Sequence, residues 1–310
     1  MNDDMLHAPR LKPGDLVRLV SPASYPQQSD VDRQIKTVES WGLRCDAGKH
    51  VISRFGYMAG TDEQRLADLN DAFEDPEVRA IVTTRGGAGA YRIASGINFN
   101  AVRADPKPLI GFSDITSLHL ALQYHCNLGG IHGCLFGSAA KESVRQLLMT
   151  SESVTLSRVP ETVSAAISYP GCATGKLIGG NLQLLAASVA VHLPSLHGAI
   201  LFLEYHRTGL GTVDRYLTQL LQSDILHGVA GVVLGSFECS RGYSDRGWTM
   251  IDVLNDRLGQ LGVPVLGGIY AGHDLPGQGD DEFDQSSLPL GSMATMDAEA
   301  GILTIEPIVC

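Results

Sequence analysis

Apolar positions along the first 150 residues alternate between a strand period and a helix period. Leu16-Val17-Arg18-Leu19-Val20 is a short run stopped by Ser21-Pro22 and predicts a strand. Val31, Ile35, Val38 and Trp41 fall on one face of a predicted helix over 31–41, and 44–51 reads as a weaker strand. Thr61-Asp62-Glu63-Gln64 supplies an N-cap threonine and an acidic first turn, after which Leu66, Leu69 and Phe73 mark the buried face of a helix ended by Asp75-Pro76. Ala80-Ile81-Val82-Thr83-Thr84 is an apolar, β-branched run that leads straight into Arg85-Gly86-Gly87-Ala88-Gly89. Leu109-Ile110-Gly111 is another buried strand, followed by Phe112-Ser113-Asp114 and a helical pattern over 115–124. Strands and helices alternating at this spacing imply an α/β domain, a parallel sheet with helices on both faces.

Between 151 and 170 Ser, Thr, Val and Pro dominate and the periodicity fades. This divides the chain into an N-terminal α/β domain over 1–150, a linker over 151–170 and a C-terminal domain over 171–310. The second domain is predicted to open with a turn-rich stretch over 171–176. Helices at 182–191, 213–222 and 251–261 follow, with strands at 199–203 and 231–235 and a closing hairpin, 291–296 with 301–305. A length of 310 residues agrees with two domains at about 150 residues each.

Composition narrows the classes. Hydrophobic residues make up 44% and charged residues 18%, enough apolar content for a sizeable core. The net charge of -11 argues against a general nucleic-acid binder, which needs a basic footprint to displace counterions from phosphates. The 35 glycines with 6% aromatics suit an α/β enzyme with tight strand-to-loop turns. Six scattered cysteines, none in C-x-x-C, read as reduced thiols. The acidic N-terminus, broken by Pro9 and Pro13, does not read as a signal peptide, and the apolar stretch 184–205 is too polar for a membrane span. The expectation is a cytoplasmic protein with no nucleic-acid or membrane partner.

Three strand ends carry candidate chemistry. Ser113 lies where a buried strand turns into a helix, a place from which a serine projects and helix amides can stabilise an oxyanion. The second glycine of G-x-S-x-G is Ile115 here, and an ordinary N-cap through Ser113 or Asp114 fits the same spacing. Arg85–Gly89 suits either an anion cradle or a tight βα turn. Glu204 ends the apolar strand and either meets a donor there or reaches solvent at the rim. His273 stands among glycines as a catalytic or a merely structural histidine. His119, His125 and His132 lack metal-ligand spacing, and the acidic run over 280–284 reads as a solvated loop. Taken together, Ser113, Glu204 and His273 follow the order Ser…Glu…His of an α/β serine hydrolase. His273 would then take the Ser113 proton, Glu204 would orient the imidazole, and amides of Asp114 and of Gly86 or Gly87 would hold the oxyanion.

These residues resemble the LD-carboxypeptidases, muramoyltetrapeptide carboxypeptidases of the serine peptidase class, over nearly the whole chain. The resemblance runs through Leu11–Asp15, Ser21-Pro22-Ala23, Met58–Arg65, Ala72–Pro76, Arg85-Gly86-Gly87, Ile110–Thr116, Leu177–Leu182, Leu203-Glu204, Asp214–Leu220, Gly272-His273 and Leu288–Gly291. It implies a flavodoxin-like parallel-sheet N-terminal domain and a smaller mixed, mostly β C-terminal domain, with the active site in the cleft between them. It also implies a catalytic triad of Ser113, Glu204 and His273 and an oxyanion site from Gly86, Gly87 and Asp114. The implied activity is removal of the terminal D-alanine from murein tetrapeptides in cytoplasmic cell-wall recycling, by a homodimer, with no cofactor and no metal. Two departures stand out: Ala88 replaces the family's usual loop tyrosine, with Tyr91 three positions on, and the segment 205–212 lacks the usual acidic, aromatic-rich character. A sister branch cleaves microcin-type peptidyl nucleotides and calls for an aromatic side chain for base stacking. The Asp214–Leu220 segment and the compact length point to the carboxypeptidase branch. The alternative outside this class is a non-catalytic peptide- or nucleotide-binding module with Arg85–Gly89 as its anion cradle.

Overall fold

The computed structural model describes residues 5–239, 246–273, 275 and 284–310, so residues 280–283 of the acidic run lie outside the described residues. The chain forms two compact units. The first holds 1–152, 287–291 and 307–310, and the second holds 153–286 and 292–306.

The first unit is built on strands β1 (Leu16–Val20), β2 (Arg44–Ala47), β3 (Val78–Thr83), β4 (Leu109–Ile110) and β5 (Gly130–His132), joined by the late strand β12 (Leu288–Leu290). Their order is β12-β5-β4-β3-β1-β2. The first five strands are parallel, and β12 runs antiparallel to β5 with Leu288 opposite His132 and Leu290 opposite Gly130. The order β2-β1-β3-β4-β5 is flavodoxin-like, and such sheets place ligands at the carboxyl ends of strands where the order reverses, here between β1 and β3. Helices α1 (Gln28–Ser40), α2 (Asp62–Glu74), α3 (Ala90–Ile93), α4 (Phe99–Ala104), α5 (Thr116–Cys126) and α6 (Ser138–Met149) connect and cover the strands.

Local chemistry explains the boundaries. The Thr61 hydroxyl accepts from the Gln64 N–H while the Gln64 side chain accepts from the Thr61 N–H, a closed capping box that starts α2. At the other end, the buried Lys107 ammonium donates to the carbonyls of Ala72, Phe73 and Asp75 at 3.2, 2.7 and 2.5 Å. A cation there complements the helix dipole and satisfies carbonyls that have no partner within the helix. Helix α6 goes beyond the elements expected from periodicity; its buried Ala140, Val144, Leu147 and Leu148 form one stripe.

The second unit contains β6 (Val154–Ser157), β7 (Ser168–Tyr169), β8 (Cys172–Asn181), β9 (Ile200–Thr208), β10 (Gly231–Cys239), β11 (Val265–Gly267), β13 (Met293–Asp297) and β14 (Ile302–Ile305). They form a mixed sheet of order β6-β14-β13-β8-β9-β10-β11-β7, in which β8, β9, β10 and β11 are mutually parallel. Helices α7 (Leu182–Ala187), α8 (Leu210–Gln222) and α9 (Met250–Leu258) belong to the same unit. The stretch 171–176, expected as turns, instead begins the ten-residue strand β8. Its glycines serve close backbone approach: a Cβ on Gly175 would sit 2.1 Å from the Gly198 carbonyl, and one on Gly179 would sit 1.8 Å from that of Phe202. Strands β6 and β7, both within the Ser/Thr/Pro-rich stretch expected as a linker, already pair with β14 and β11. Among the described residues no helix is long and apolar enough to cross a membrane.

Candidate functional site

In the first unit, the carboxyl ends of β1, β3 and β4 carry three loops that interlock. The loop after β3, Arg85–Gly89, is held by the loop after β1. The Ser24 N–H donates to the Gly86 carbonyl at 3.3 Å, and the Ser24 hydroxyl accepts from the Ala88 N–H at 3.2 Å. Gly87 lies against Ser24 with φ +117, where a Cβ would fall 2.3 Å from the serine hydroxyl. Below the loop, the buried Ser21 and Thr84 hydroxyls share a 2.6 Å bond, and the Gln34 amide donates to the Thr84 carbonyl.

Ser113 follows β4 on a single 3-10 turn, Ser113–Ile115, that leads into α5. Its φ is +64, in the left-handed region that a non-glycine residue occupies at a cost of about 1–3 kcal/mol. The N-cap positions of the 3-10 turn and of α5 are Phe112 and Ile115, neither with a side-chain cap, so Ser113 and Asp114 lie within the 3-10 turn and not at the N-cap position. Strain at a strand-to-helix turn is the arrangement that aims a nucleophilic hydroxyl away from its own backbone. Gly86 makes room for it, because a Cβ there would meet Ser113 Cβ at 2.8 Å and Oγ at 3.2 Å. Gly111 lets β4 press against β3, its own Cβ position falling 2.3 Å from Thr83 Oγ1. Among the described residues, no backbone hydrogen bond uses the N–H of Gly86 or Gly87. Asp114 is buried beside the serine, and its carboxylate accepts from the Ala90 N–H at 2.7 Å. Burial pushes this carboxyl up to about 6.

In the second unit, Glu204 lies fully buried on β9, in register with Asn181 at the end of β8. Asn181 uses both ends of its amide: Nδ2 donates to Glu204 Oε1 at 3.1 Å, and Oδ1 caps α7 by accepting from the Gln183 N–H. Glu204 Oε2 accepts from His273 Nδ1 at 2.7 Å and from the His273 N–H at 3.4 Å. This bond fixes the ring plane and leaves Nε2 to act as proton acceptor. Gly272, at φ +110, makes the approach possible, since its Cβ would stand 2.5 Å from Ser236 Oγ and 2.8 Å from Glu204. The Gly272 N–H donates to the buried Gln285 side chain at 2.6 Å, and the His206 ring packs 5.0 Å from that of His273.

Of the six predicted site residues, Gly86, Gly87, Ser113 and Asp114 thus belong to the first unit, while Glu204 and His273 meet in the second. The other histidines have structural duties. His119 donates from Nε2 to the Gly111 carbonyl at 2.9 Å behind the serine turn, and complete burial pushes its pKa down to about 4. His132 lies edge-on to Phe112, and His125 stacks on Phe99. Among the described residues no group of three His, Cys, Asp or Glu side chains is placed to hold a metal ion. Sequence reasoning gave no role to Ser24, Asn181 or Gln285. Asn181 carried a signal, an asparagine immediately before a helix, but its partner depends on strand register.

Comparison with known proteins agrees with both halves. Residues 17–133 match the LD-carboxypeptidase N-terminal domain and residues 174–296 match the LD-carboxypeptidase C-terminal domain. The chain belongs to the LD-carboxypeptidase family. A putative carboxypeptidase of Streptomyces coelicolor is 36% identical over 321 residues, covering 99% of this chain and 98% of that protein. A probable murein peptide carboxypeptidase of Bacillus subtilis is 33% identical, covering 96% of this chain and 93% of that protein. Among solved structures, a muramoyltetrapeptide carboxypeptidase from Oxalobacter formigenes aligns with a TM-score of 0.82 at 25% identity, covering 95% of this chain and 100% of that one. The microcin C7 self-immunity protein of Escherichia coli is more distant, 25% identical with 94% of this chain and 93% of that protein covered.

Proposed function

We propose that the protein is a serine carboxypeptidase that removes the terminal D-alanine from murein tetrapeptides, with Ser113, His273 and Glu204 as its triad. The observation that carries this reading is the buried Glu204–His273 pair, bonded through Nδ1 at 2.7 Å, in a chain whose Ser113 stands at a left-handed φ on the turn after a strand. The names of the relatives supply the substrate class. The reading takes the nucleophile from the part before residue 150 and the acid–base pair from the part after 171. Placement in cytoplasmic recycling, and a homodimeric state, rest on the family resemblance alone.

In this mechanism His273 Nε2 takes the Ser113 hydroxyl proton as Oγ attacks the carbonyl preceding D-alanine. Glu204 holds the Nδ1–H and stabilises the imidazolium that forms. The oxyanion is received by the N–H groups of Gly86 or Gly87 and Asp114. His273 then protonates the departing amine, and water delivered by the same base releases the acyl group from Ser113.

The test is mass spectrometry of a mixture of murein peptides and peptidyl nucleotides incubated with the full-length protein. Release of D-alanine from the tetrapeptide is expected, and it should fall by at least about 10⁴-fold in Ser113→Ala while the thermal transition is retained. Products from the peptidyl nucleotides alone would move the protein to the immunity branch. A Ser113→Ala variant that still releases D-alanine would overturn the serine mechanism.

A further inference from the structure

Gly89 and Ala90 share one peptide unit, and its two polar ends are held by side chains of opposite charge. Arg65 on α2 donates to the Gly89 carbonyl at 2.8 Å, and the Ala90 N–H donates to Asp114 Oδ2 at 2.7 Å. In a trans peptide the carbonyl and the N–H point in opposite directions, so the two side chains grip the plane from both sides and oppose its rotation. Both are buried, with 1% and 3% of their surface exposed. Arg65 is itself anchored, donating to the Pro22 carbonyl at 2.5 Å and pairing with Asp62. Gly89 has φ +125, and a Cβ there would lie 2.9 Å from the guanidinium, so the close approach depends on glycine.

The location of this clamp gives it meaning. Asp114 is the residue after Ser113, and the clamped peptide ends the loop whose Gly86 lies against that serine. One carboxylate therefore ties the amide-bearing loop to the turn that carries the hydroxyl. A core that needed only packing would be served by a neutral side chain, because a buried carboxylate is costly even when paired. Charged partners on one peptide plane give a stiffness that a neutral hydrogen bond does not.

We propose that Asp114 and Arg65 are positioning residues that fix the Gly89–Ala90 peptide plane and so hold the amides of the Arg85–Gly89 loop at the distance from Ser113 that oxyanion binding requires. This rests on the serine mechanism above. The device needs the ionised carboxylate. Burial raises the Asp114 pKa to about 6 against the opposing pull of Arg65 and of the Gly89 and Ala90 backbone, and the Tyr91 phenol on α3 lies within the field of the same carboxylate. Activity should therefore fall as pH drops through about 6.

The test uses the full chain, D-alanine release from a murein tetrapeptide, and titration of active molecules with a serine-directed phosphonate. Asp114→Asn should lower kcat per titrated site by about 10–100-fold with KM changed less than about 3-fold. It should also remove one ionisation near 6 from the acid limb of kcat/KM. Arg65→Lys keeps the charge without the fork and should lower kcat by a similar factor while retaining that ionisation. Asp114→Asn with unchanged kcat and acid limb overturns the proposal, and so does a loss confined to the number of titratable sites. Hydrogen exchange at the Ala90 amide reads the clamp without any activity: Asp114→Ala should accelerate it at least about 10-fold, and an unchanged rate overturns the proposal. If wild type releases no D-alanine while Ala90 exchange responds as expected, the functional reading fails and the clamp stands.

Discussion

The two units hold their candidate catalytic groups in opposite ways. In the first, Ser113 is placed by backbone geometry: a left-handed φ, glycines that let loops approach, and main-chain bonds between neighbouring loops. In the second, Glu204 and His273 are placed by side-chain hydrogen bonds, with Asn181 opposite Glu204 in the strand register and Gly272 giving way to Glu204. A nucleophile that must project from a sharp turn gains from a conformation that few sequences tolerate. A buried charge gains from partners that satisfy its lone pairs, because an unsatisfied carboxylate inside a sheet is among the costliest groups a fold can carry.

That contrast can be strained at either end. Glu204→Gln keeps the shape of the buried side chain and removes its charge, so the imidazolium of the proposed mechanism would lose its counterion. A fall of about 10²–10⁴-fold in kcat is expected, and activity within a few-fold of wild type would show that the Glu204 charge has no part in the reaction.

A smaller effect lies in the pH dependence of stability. Asp114 has its pKa raised from 3.8 to about 6 in the folded chain, so the folded state binds the proton more tightly than the unfolded state. This group's contribution to stability therefore declines as pH rises from about 4 through about 6, by about 2–3 kcal/mol in all. Chemical denaturation of wild type and Asp114→Asn at both ends of this range checks it. The difference should shift in favour of the variant by that amount toward neutral pH, and a difference independent of pH would remove the buried-charge argument.

The smallest effect concerns strain. Ser113→Gly relieves the left-handed φ and adds chain entropy to the unfolded state, leaving a net gain of about 0.5–1 kcal/mol in an inactive protein. A destabilised Ser113→Gly variant would mean that the serine side chain supports the turn instead of being tolerated there.

Much of the first unit was legible because its signals are local. The spacing of Val31, Ile35 and Val38, the Thr61–Gln64 box and the apolar run of β3 are written within a dozen residues each. Strand β8 was hidden because its glycines, which look like turn residues, are there to let Gly198 and Phe202 approach. Strand β12, three residues with a central proline, gains its identity only from β5 beside it. The candidate site divides along the same line. Ser113 stands out at a strand-to-helix junction, and Gly272 and His273 stand out as a pair, but the bond between Asn181 and Glu204 is a matter of register between strands 23 residues apart in their side chains' numbering.

Strand β12 also sets a schedule. The first sheet is completed by residues 288–290, and the same unit takes in the C-terminal tail, where Cys310 O accepts from the Arg10 N–H and Val309 bridges Ala8. During synthesis, the unit that carries Ser113 keeps the flank of β5 open while strands β6 to β11 of the second sheet are being made. The sheet beneath Ser113 therefore gains its sixth strand only after Glu204 and His273 of the partner unit have been translated.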